Sequence, residues 1–310
     1  MSTPVAASVR LRRGPLELDA AADGFLAVTS LRHAGRELLV GPDELPPAAT
    51  VHGTSAGITL LHPWANRVGA DRFATAGRDV RLDPADPAVG RDVNGLPIHG
   101  LAAPAGAWHL RVADGVLAAT LTHTGEEGGA FPFPHRLDVE LALHDRGLRV
   151  VTTLHATGRV PVPVAFGWHP YLRLPGVARH AWVLELPERE RLVADAWGLP
   201  SGPTVAEAAE AAPLGARRLD VGYGGLAPGA VMALRGGGWR LAVSLDEGYP
   251  AAQAFAPTEA DVVSLEPMTA ITDALRSGRG LPLVAPGGAF RAVFALAIAG
   301  PPAAAMVGRR

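Results

Sequence analysis

Apolar residues recur at every second position in several stretches of this chain, and this period of two constrains the fold more than any other feature. Leucine or valine occupies each odd position from 137 to 143, and apolar residues alternate in the same way over 239–245 and 290–298. Such alternation is typical of a β-strand with one buried face. The turn Asp145-Arg146-Gly147 joins the first stretch to a second run from Leu148 to His155, which predicts a β-hairpin.

Further apolar runs, separated by glycine and proline, extend this pattern over most of the chain. They begin at Val9, Leu16, Phe25, Trp108, Val116, Val160, Trp182 and Ala230. The one helix we predict is short, about Val205 to Ala211, and the absence of long helices alternating with strands argues against a doubly wound α/β fold. Many short strands with Gly/Pro turns predict a β-sandwich or barrel. We expect one domain over 1–310, with a core from about 9 to 298 and a tail from Pro301 to Arg310.

Composition excludes several kinds of chemistry. Of the 310 residues, 48% are hydrophobic and 19% are charged, which is typical of a globular protein. Cysteine and lysine are both absent, so disulfides, thiolate nucleophiles and Schiff bases on the protein are excluded. The formal net charge is −2 without a basic stripe, which argues against nucleic-acid binding. With neither a signal-peptide core nor a membrane-spanning apolar stretch, we expect a cytoplasmic protein that binds no membrane.

Four short segments interrupt the plain strand pattern and hold the residues with useful chemistry. Their sequences are HPWANR at 62–67, LPIHG at 96–100, FGWHPY at 166–171 and LEPMT at 265–269. In the third segment, Pro170 forces His169 toward an extended backbone, and aromatic rings flank the imidazole. A titratable imidazole beside amphipathic rings suits a polar ligand with apolar faces, such as a sugar. From the residue types alone, His169 fits equally well as a core histidine bonded to a carbonyl.

The glutamate of the fourth segment, Glu266, follows an apolar run that begins at Val262. Burial there would raise its pKa, unless it is paired, and would make it a better general base near neutral pH. The alternative is a strand-end glutamate that points into water. Arg67, with Asn66 before it, offers either a fork of donors for hydroxyl oxygens or a surface side chain. His99 is predicted in a turn, as a site residue or a solvated histidine.

Together, the stretches PWANRV, PIHG, GWHPYL and LEPMT resemble the aldose 1-epimerase (galactose mutarotase) family. They occur in that family's order, and the likeness runs from about Val9 to about Ile298. The resemblance implies a mostly-β fold: a galactose mutarotase-like large antiparallel β-sandwich, called a supersandwich, with few short helices. It also implies a mutarotase that interconverts the α and β anomers of a free aldose without cofactor or metal.

The resemblance assigns Glu266 as the base and His169 as the acid. This pairing requires a protonated histidine and an ionised glutamate in one enzyme form, so we expect the pKa of His169 to exceed that of Glu266. Asn66 lies in the family's Asn-Arg motif, and Arg67 and His99 would bind ring hydroxyls. Candidates for the apolar sugar faces are Trp64, Trp168 and Phe255.

Two further binding residues rest on resemblance alone. Asp220, in RRLDVGYGGL, matches the family's sugar-binding aspartate, and Gln253, in AAQAFAP, matches a glutamine near the site in some members. Asp246 competes with Asp220 for the aspartate role. His62 occupies a position where the family commonly has other residues, and the sequence assigns it no role.

Four other functions stay open at this level. A hexose-phosphate 1-epimerase would need extra cations, for which Arg72, Arg91 and Arg173 are candidates. A non-catalytic carbohydrate-binding protein would bind sugar without speeding its exchange. A glycoside hydrolase needs two carboxylates, whereas the nominated site offers one. A metal site at His99, His169 and Glu266 lacks close ligand spacing. The sequence specifies neither the sugar nor the oligomeric state.

Overall fold

The computed structural model describes residues 7–45, 51 and 54–301, and the predicted tail lies, apart from Pro301, outside this part of the chain. Its strands follow one another in this order: β1 Ala7–Arg13, β2 Leu16–Asp23, β3 Phe25–His33, β4 Arg36–Glu37, β5 Ile58–Leu61, β6 Arg72–Thr75, β7 Arg78–Arg81, β8 Val89–Arg91, β9 Pro97–Leu101, β10 Trp108–Ala113, β11 Val116–His123, β12 His135–His144, β13 Gly147–Ala156, β14 Val162–Pro163, β15 Gly167–Leu172, β16 Val183–Leu186, β17 Arg189–Arg191, β18 Val205–Glu207, β19 Glu210–Pro213, β20 Leu219–Gly224, β21 Ala230–Gly236, β22 Trp239–Glu247, β23 Ala251–Ala256, β24 Val263–Met268, β25 Leu283–Val284 and β26 Ala289–Ala299. The helices described are short: α1 spans Ala274–Ser277, and two 3₁₀ turns span Pro42–Glu44 and Arg179–Ala181.

Two large antiparallel sheets form the body of the fold. The first has 11 strands in the order β1-β2-β3-β5-β15-β24-β23-β20-β17-β18, with β4 paired to β3. The second has nine strands in the order β10-β11-β12-β13-β26-β22-β21-β16-β19. One hydrophobic core spans both sheets. The predicted sandwich is therefore confirmed.

The period of two in the sequence corresponds to burial in the structure. Along β12, residues alternate between buried and accessible positions, and Leu137, Val139 and Leu141 face the core. The predicted hairpin is β12 and β13, which pair from His135 opposite Ala156 to the turn. Burying each leucine or valine of this kind contributes roughly 1.5–3 kcal/mol, so the alternating pattern fixes which face of each strand packs inward.

The predicted helix over 205–211 is wrong, because this segment forms strands β18 and β19. β18 pairs with β17 in the first sheet and β19 with β16 in the second, so the chain crosses between the sheets here. Arg189 holds the crossing: its Nη2 lies 2.9 Å from Glu207 Oε2 and 3.3 Å from Glu210 Oε1. Strand pairing and these ion pairs outweigh the helix propensity of the alanines.

Short strands outside the two sheets connect the elements that carry the four segments. β8 pairs with β9, and isolated bridges tie His62 to Gly100 and Arg67 to Ile98. These bridges hold the second segment against the first, above the middle of the first sheet. No helix within the described ranges is both long and apolar enough to cross a membrane.

Candidate active site

Strands β15 and β24 are neighbours in the first sheet, and their register sets the two nominated catalytic side chains opposite each other. Tyr171 pairs with Ser264, so His169, two residues earlier in β15, lies level with Glu266, two residues later in β24. The distance from His169 Nε2 to Glu266 Oε1 is 3.3 Å, and both side chains are almost fully buried. Residues 97 positions apart in the chain therefore form one contact pair.

The charges of this pair are strongly affected by burial. Burial raises the pKa of Glu266 well above its ordinary value, and the charge of Asp220 adds to this shift while Arg67 opposes it. Burial lowers the pKa of His169 well below its ordinary value, and His99 adds to that shift. The directions of these shifts run opposite to the expectation that the pKa of His169 exceeds that of Glu266. Both shifts favour the neutral forms of the two groups, with a single shared proton on Glu266.

A left-handed backbone brings His99 toward the pair. His99 and Gly100 have φ angles of 64° and 83° within β9, so the predicted turn is a distorted short strand. A Cβ on Gly100 would lie 2.1 Å from the carbonyl oxygen of His62, so this position requires glycine. The His99 ring meets the His169 ring edge-on, with centroids 5.2 Å apart.

The tautomer of His99 follows from its own hydrogen bond. The backbone N–H of Asn66 donates to His99 Nδ1 over 3.3 Å, so the neutral ring carries its proton on Nε2. Burial, aided by the charge of Arg67, lowers the pKa of His99 to about 3, which keeps the ring neutral. His99 can therefore donate one hydrogen bond from Nε2.

Arg67 is held in place by acidic and amide groups around it. Its Nε donates to Asp92 Oδ2 over 2.7 Å, and its Nη2 lies 3.6 Å from Asp220 Oδ2. Asn66 Oδ1 accepts from the backbone N–H of Arg67 over 2.8 Å. The opposite edge of Asp92 accepts from the N–H groups of Asn94 and Leu96, each over 2.9 Å, and so fixes the carboxylate. The guanidinium is thus oriented before any ligand binds.

Asp220 and Gln253 come from the adjacent strands β20 and β23. Gln253 Nε2 donates to Asp220 Oδ1 over 2.5 Å. Gln253 Oε1 is buried without a hydrogen-bond partner among the described residues, and so is Glu266 Oε2. Buried acceptors of this kind are costly unless a ligand or water donates to them. The competing aspartate, Asp246, lies exposed on β22 in the second sheet, far from this site.

These side chains surround one cavity of about 170 Å³ on the first sheet. It is lined by seven of the eight nominated site residues, namely Asn66, Arg67, His99, His169, Asp220, Gln253 and Glu266. Val51, Asp92, Val93, Ile98, Tyr171, Arg218 and Phe255 complete the wall. A larger surface groove of about 740 Å³ beside Arg173 and Trp182 contains none of the eight nominated site residues, so its size does not make it the reactive site.

Trp168, the eighth nominated residue, does not line the cavity, and its nomination as a sugar-binding residue is therefore wrong. Its indole N–H donates to Thr152 Oγ1 in the second sheet over 3.1 Å, and its ring packs on Phe294. Neighbouring residues on a strand face opposite sides, so a site histidine at 169 places residue 168 in the core. Trp64 is likewise buried and absent from the cavity wall. Phe255 is the nominated aromatic residue that lines it.

The nominated cations for a phosphate lie elsewhere. Arg91 donates to Asp71 over 2.8 Å, Arg173 pairs with Glu44, and Arg72 is exposed in the outlying strand β6. None of the three lines the cavity, whereas Arg218 does. Arg218 is 70% exposed and lies 3.5 Å from Glu259.

Three residues that shape the site are not among the nominated site residues. Asp92 orients Arg67, Tyr171 stacks on His169 with ring centroids 4.2 Å apart and planes at 3°, and Ser264 contacts His169. The signals existed: Asp92 opens an Asp-Val-Asn-Gly turn, and Ser264 lies two residues before Glu266, on the same strand face. Within the described residues, no group of three or more His, Asp or Glu side chains is arranged to hold a metal ion.

Comparison with known proteins gives a family and a fold. The family model for Aldose 1-epimerase matches residues 27–297 of the chain. No curated protein matches the sequence significantly.

Solved structures match over almost their full length at low sequence identity. A galactose mutarotase-like protein from Clostridium acetobutylicum has a TM-score of 0.78 at 15% identity, covering 97% of each chain. A galactose mutarotase related enzyme from Lactobacillus acidophilus has a TM-score of 0.76 at 15% identity, covering 94% of this chain and 97% of the other. An aldose epimerase homologue from C. elegans has a TM-score of 0.75 at 14% identity, covering 96% and 100%. At these identities the likeness establishes the fold.

Proposed function

Because the chain belongs to the aldose 1-epimerase family, we propose that it interconverts the α and β anomers of a free aldose by opening and closing the sugar ring. The observation that supports this most directly is the contact of 3.3 Å between His169 Nε2 and Glu266 Oε1 at the cavity. A base and an acid at this separation can reach the anomeric hydroxyl and the ring oxygen of one bound pyranose.

The reaction needs two proton transfers at one acetal. Glu266 takes the proton of the anomeric hydroxyl while His169 gives a proton to the ring oxygen, and the C1–O5 bond breaks to form the aldehyde. Rotation about C1–C2 presents the other carbonyl face, and the two residues exchange roles as the ring closes. No electron is transferred and no group leaves, so this chemistry calls for neither a cofactor nor a metal.

Hydrogen bonds from the bound sugar can stabilise the charged forms of His169 and Glu266 that burial disfavours. Ring opening by this route requires the shared proton on His169, whereas burial favours it on Glu266. The anomeric O–H can donate to the carboxylate, and the ring oxygen can accept from Nε2–H. Hydrogen bonds to the charged forms favour those forms. The pair titrates as a unit, so we expect a bell-shaped pH profile rather than a plateau from acid to alkaline pH.

The remaining polar wall suits ring hydroxyls. Arg67 and His99 donate, while Asp220 accepts from neighbouring hydroxyls. Gln253 offers its unpaired Oε1 as a further acceptor. Asn66 acts by orienting Arg67, and Phe255 provides the apolar surface for a sugar face.

A hexose-phosphate 1-epimerase is the second candidate, and one observation favours it. Arg218 lies at the cavity wall with its side chain 70% exposed, so it is accessible to an anionic substituent. A non-catalytic sugar-binding protein has no need of the His169–Glu266 pair.

Anomer exchange followed by NMR tests the proposal. Glucose, galactose and glucose 6-phosphate are compared for the native chain, Glu266→Gln and the matched control Asp246→Asn. We expect exchange to fall about 10²- to 10⁴-fold in Glu266→Gln while sugar binding persists, because one positioned proton transfer is lost. Asp246→Asn, which changes an exposed carboxylate on the second sheet, should match the native rate. Retained exchange in Glu266→Gln would remove the base assignment, and preference for the phosphate would favour the second candidate.

A further inference from the structure

Ser264 contacts the nitrogen of His169 that faces away from Glu266. Its Oγ lies 2.8 Å from His169 Nδ1, and Ser264 is fully buried. Ser264 and Glu266 lie two residues apart on β24, so both side chains project from the same face. The imidazole is thus bracketed, with the serine on Nδ1 and the glutamate on Nε2. Ser264 does not line the cavity, so it reaches a sugar only through the histidine.

The direction of each hydrogen bond follows from where the protons are. When the shared proton rests on Glu266, the carboxyl group can present its O–H to Nε2 of a neutral His169, which lies 3.3 Å from Oε1. In that arrangement the ring's own proton is on Nδ1, which donates to Ser264 Oγ over 2.8 Å. When the shared proton moves to Nε2, the imidazolium donates from both nitrogens, and Oγ again accepts. In this arrangement Ser264 accepts in both protonation states.

We propose that Ser264 is a positioning residue: it holds the ring proton of His169 on Nδ1, so that Nε2 alone exchanges a proton with Glu266 or the sugar. This inference rests on the proposed function for its kinetic consequence, but the tautomer itself exists in the protein without substrate.

Tyr171 stacks on the His169 ring, so the position of the ring and its tautomer depend on different neighbours. Tyr171 lies parallel to His169 at 4.2 Å between centroids. We therefore expect this stacking to hold the ring in position when the serine hydroxyl is removed. In Ser264→Ala, Nδ1–H loses its acceptor, and the neutral ring can move its proton to Nε2. A protonated Nε2 cannot accept the proton of Glu266.

The other charged or titratable groups at this cavity stay unchanged in the test. They are Tyr171 on the same strand, Glu266 on β24, His99 on β9, Asp220 on β20, and Arg67, Asp92 and Arg218 on the connecting segments.

Nitrogen-15 NMR of histidine-labelled protein reads the tautomer directly. His169 is assigned by comparison with His169→Gln. We expect a neutral His169 with Nδ1 protonated in the native protein, and a shift toward the Nε2–H form in Ser264→Ala. A native ring with the proton on Nε2, or an unchanged tautomer in Ser264→Ala, would overturn the inference. Because no turnover is needed, this result stands or falls separately from the proposed function.

The anomer exchange rate gives the second readout. Ser264→Ala should lower kcat about 10-fold at unchanged KM, since a hydrogen bond to a charged group is lost. The acid limb of the pH profile should move down by about one pH unit, because the imidazolium has lost an acceptor. The kcat of Ser264→Cys, whose side chain is similar in size to serine, should lie between those of the native protein and Ser264→Ala. Ser264→Cys replaces Ser264→Ala in the test if the alanine variant does not fold.

Thr152→Val is the matched control, since it removes another fully buried hydroxyl, the one that bonds Trp168 on the core face of β15. It should destabilise the fold but leave the acid limb in place. An acid limb and kcat of native value in Ser264→Ala would contradict the inference. Absence of exchange in the native protein would instead contradict the proposed function.

Discussion

Two groups of histidines lie within the described residues, each with two buried rings, and only one group has the chemistry of an active site. The site pair, His99 and His169, meets Glu266 at the cavity. The core histidine cluster consists of His62, His123 and His135. In that cluster, His62 Nε2 lies 2.7 Å from His135 Nε2, and the His123 and His135 rings are 4.9 Å apart. Burial is the first cause of lowered pKa values in both groups.

The difference lies in the acceptors. His135 Nδ1 is 2.6 Å from the carbonyl oxygen of Phe133, which must accept, so Nδ1 carries the proton of the neutral ring. His135 Nε2 is then bare and accepts from His62 Nε2–H. In the pair of His62 and His135, each ring proton is therefore assigned to one nitrogen. The proton between His169 and Glu266, by contrast, can reside on either of two ionisable groups. A buried imidazole therefore becomes a proton-transfer group through its carboxylate neighbour and not through burial alone.

The largest expected effect comes from replacing one histidine of each group. His169→Gln should lower the anomer exchange rate about 10²- to 10⁴-fold, because the acid is removed. His135→Gln keeps a donor and an acceptor in the core and should leave kcat within about two-fold, since no proton transfer depends on it. Polarimetry on both purified variants measures this. Equal losses in the two variants would break the comparison.

Acid sensitivity of the fold provides the next test. The pKa of His135 falls from 6.5 to about 3 on burial. Below pH 6.5 the unfolded chain takes up a proton that the folded chain does not, so stability is lost as the pH falls toward 3. By pH 5 this amounts to about 2 kcal/mol for one histidine. Urea unfolding between pH 7 and 5 should show a shallower loss in His135→Gln than in the native chain.

The informative quantity is the difference between the two proteins in how steeply the free energy of unfolding changes with pH, because the other buried histidines remain in both. Identical pH slopes for the native chain and His135→Gln would mean that the core cluster does not resist protonation.

The site carboxylate should give the opposite pH dependence. Burial raises the pKa of Glu266, so between its unfolded value near 4.5 and its folded value the folded chain binds the extra proton. Stability is therefore lost as the pH rises through this range. Glu266→Gln removes the loss and should be more stable than the native chain at pH 7. The advantage should shrink toward pH 4.5. A less stable variant at pH 7 would show that the carboxylate is paired well enough to offset its burial.

The fold could be predicted because its strongest signal is local. Alternation within β12, β22 and β26 predicts which side chains are buried without any knowledge of the neighbouring strand. The crossing over 205–213 could not be predicted in this way, because its strands exist only through pairing with β17 and β16 in two different sheets. The alanine-rich sequence of this segment does not indicate which strands it pairs with.

In the candidate site, too, residues with a local sequence signal could be predicted and residues defined by distant partners could not. Short motifs identified His169 and Glu266, because their residue types are unusual within apolar strands. Asp92 and Ser264 were missed because their partners lie 25 and 95 residues away in the chain. The error at Trp168 was avoidable, since the alternation that predicted the strands also places it on the face opposite His169.

The smallest expected effect compares two aromatic residues on opposite faces of the first sheet. Trp168→Phe loses the hydrogen bond to Thr152 and some core volume, which should cost about 1 kcal/mol or more of stability and leave KM unchanged. Phe255→Leu shortens the apolar wall of the cavity and should raise KM a few-fold with little change in kcat, because it weakens ground-state and transition-state binding alike. Initial rates over a range of sugar concentrations, together with melting curves, separate the two outcomes. A raised KM in Trp168→Phe with unaltered melting would return that ring to the sugar site, and the core and site faces of β15 would then no longer be functionally distinct.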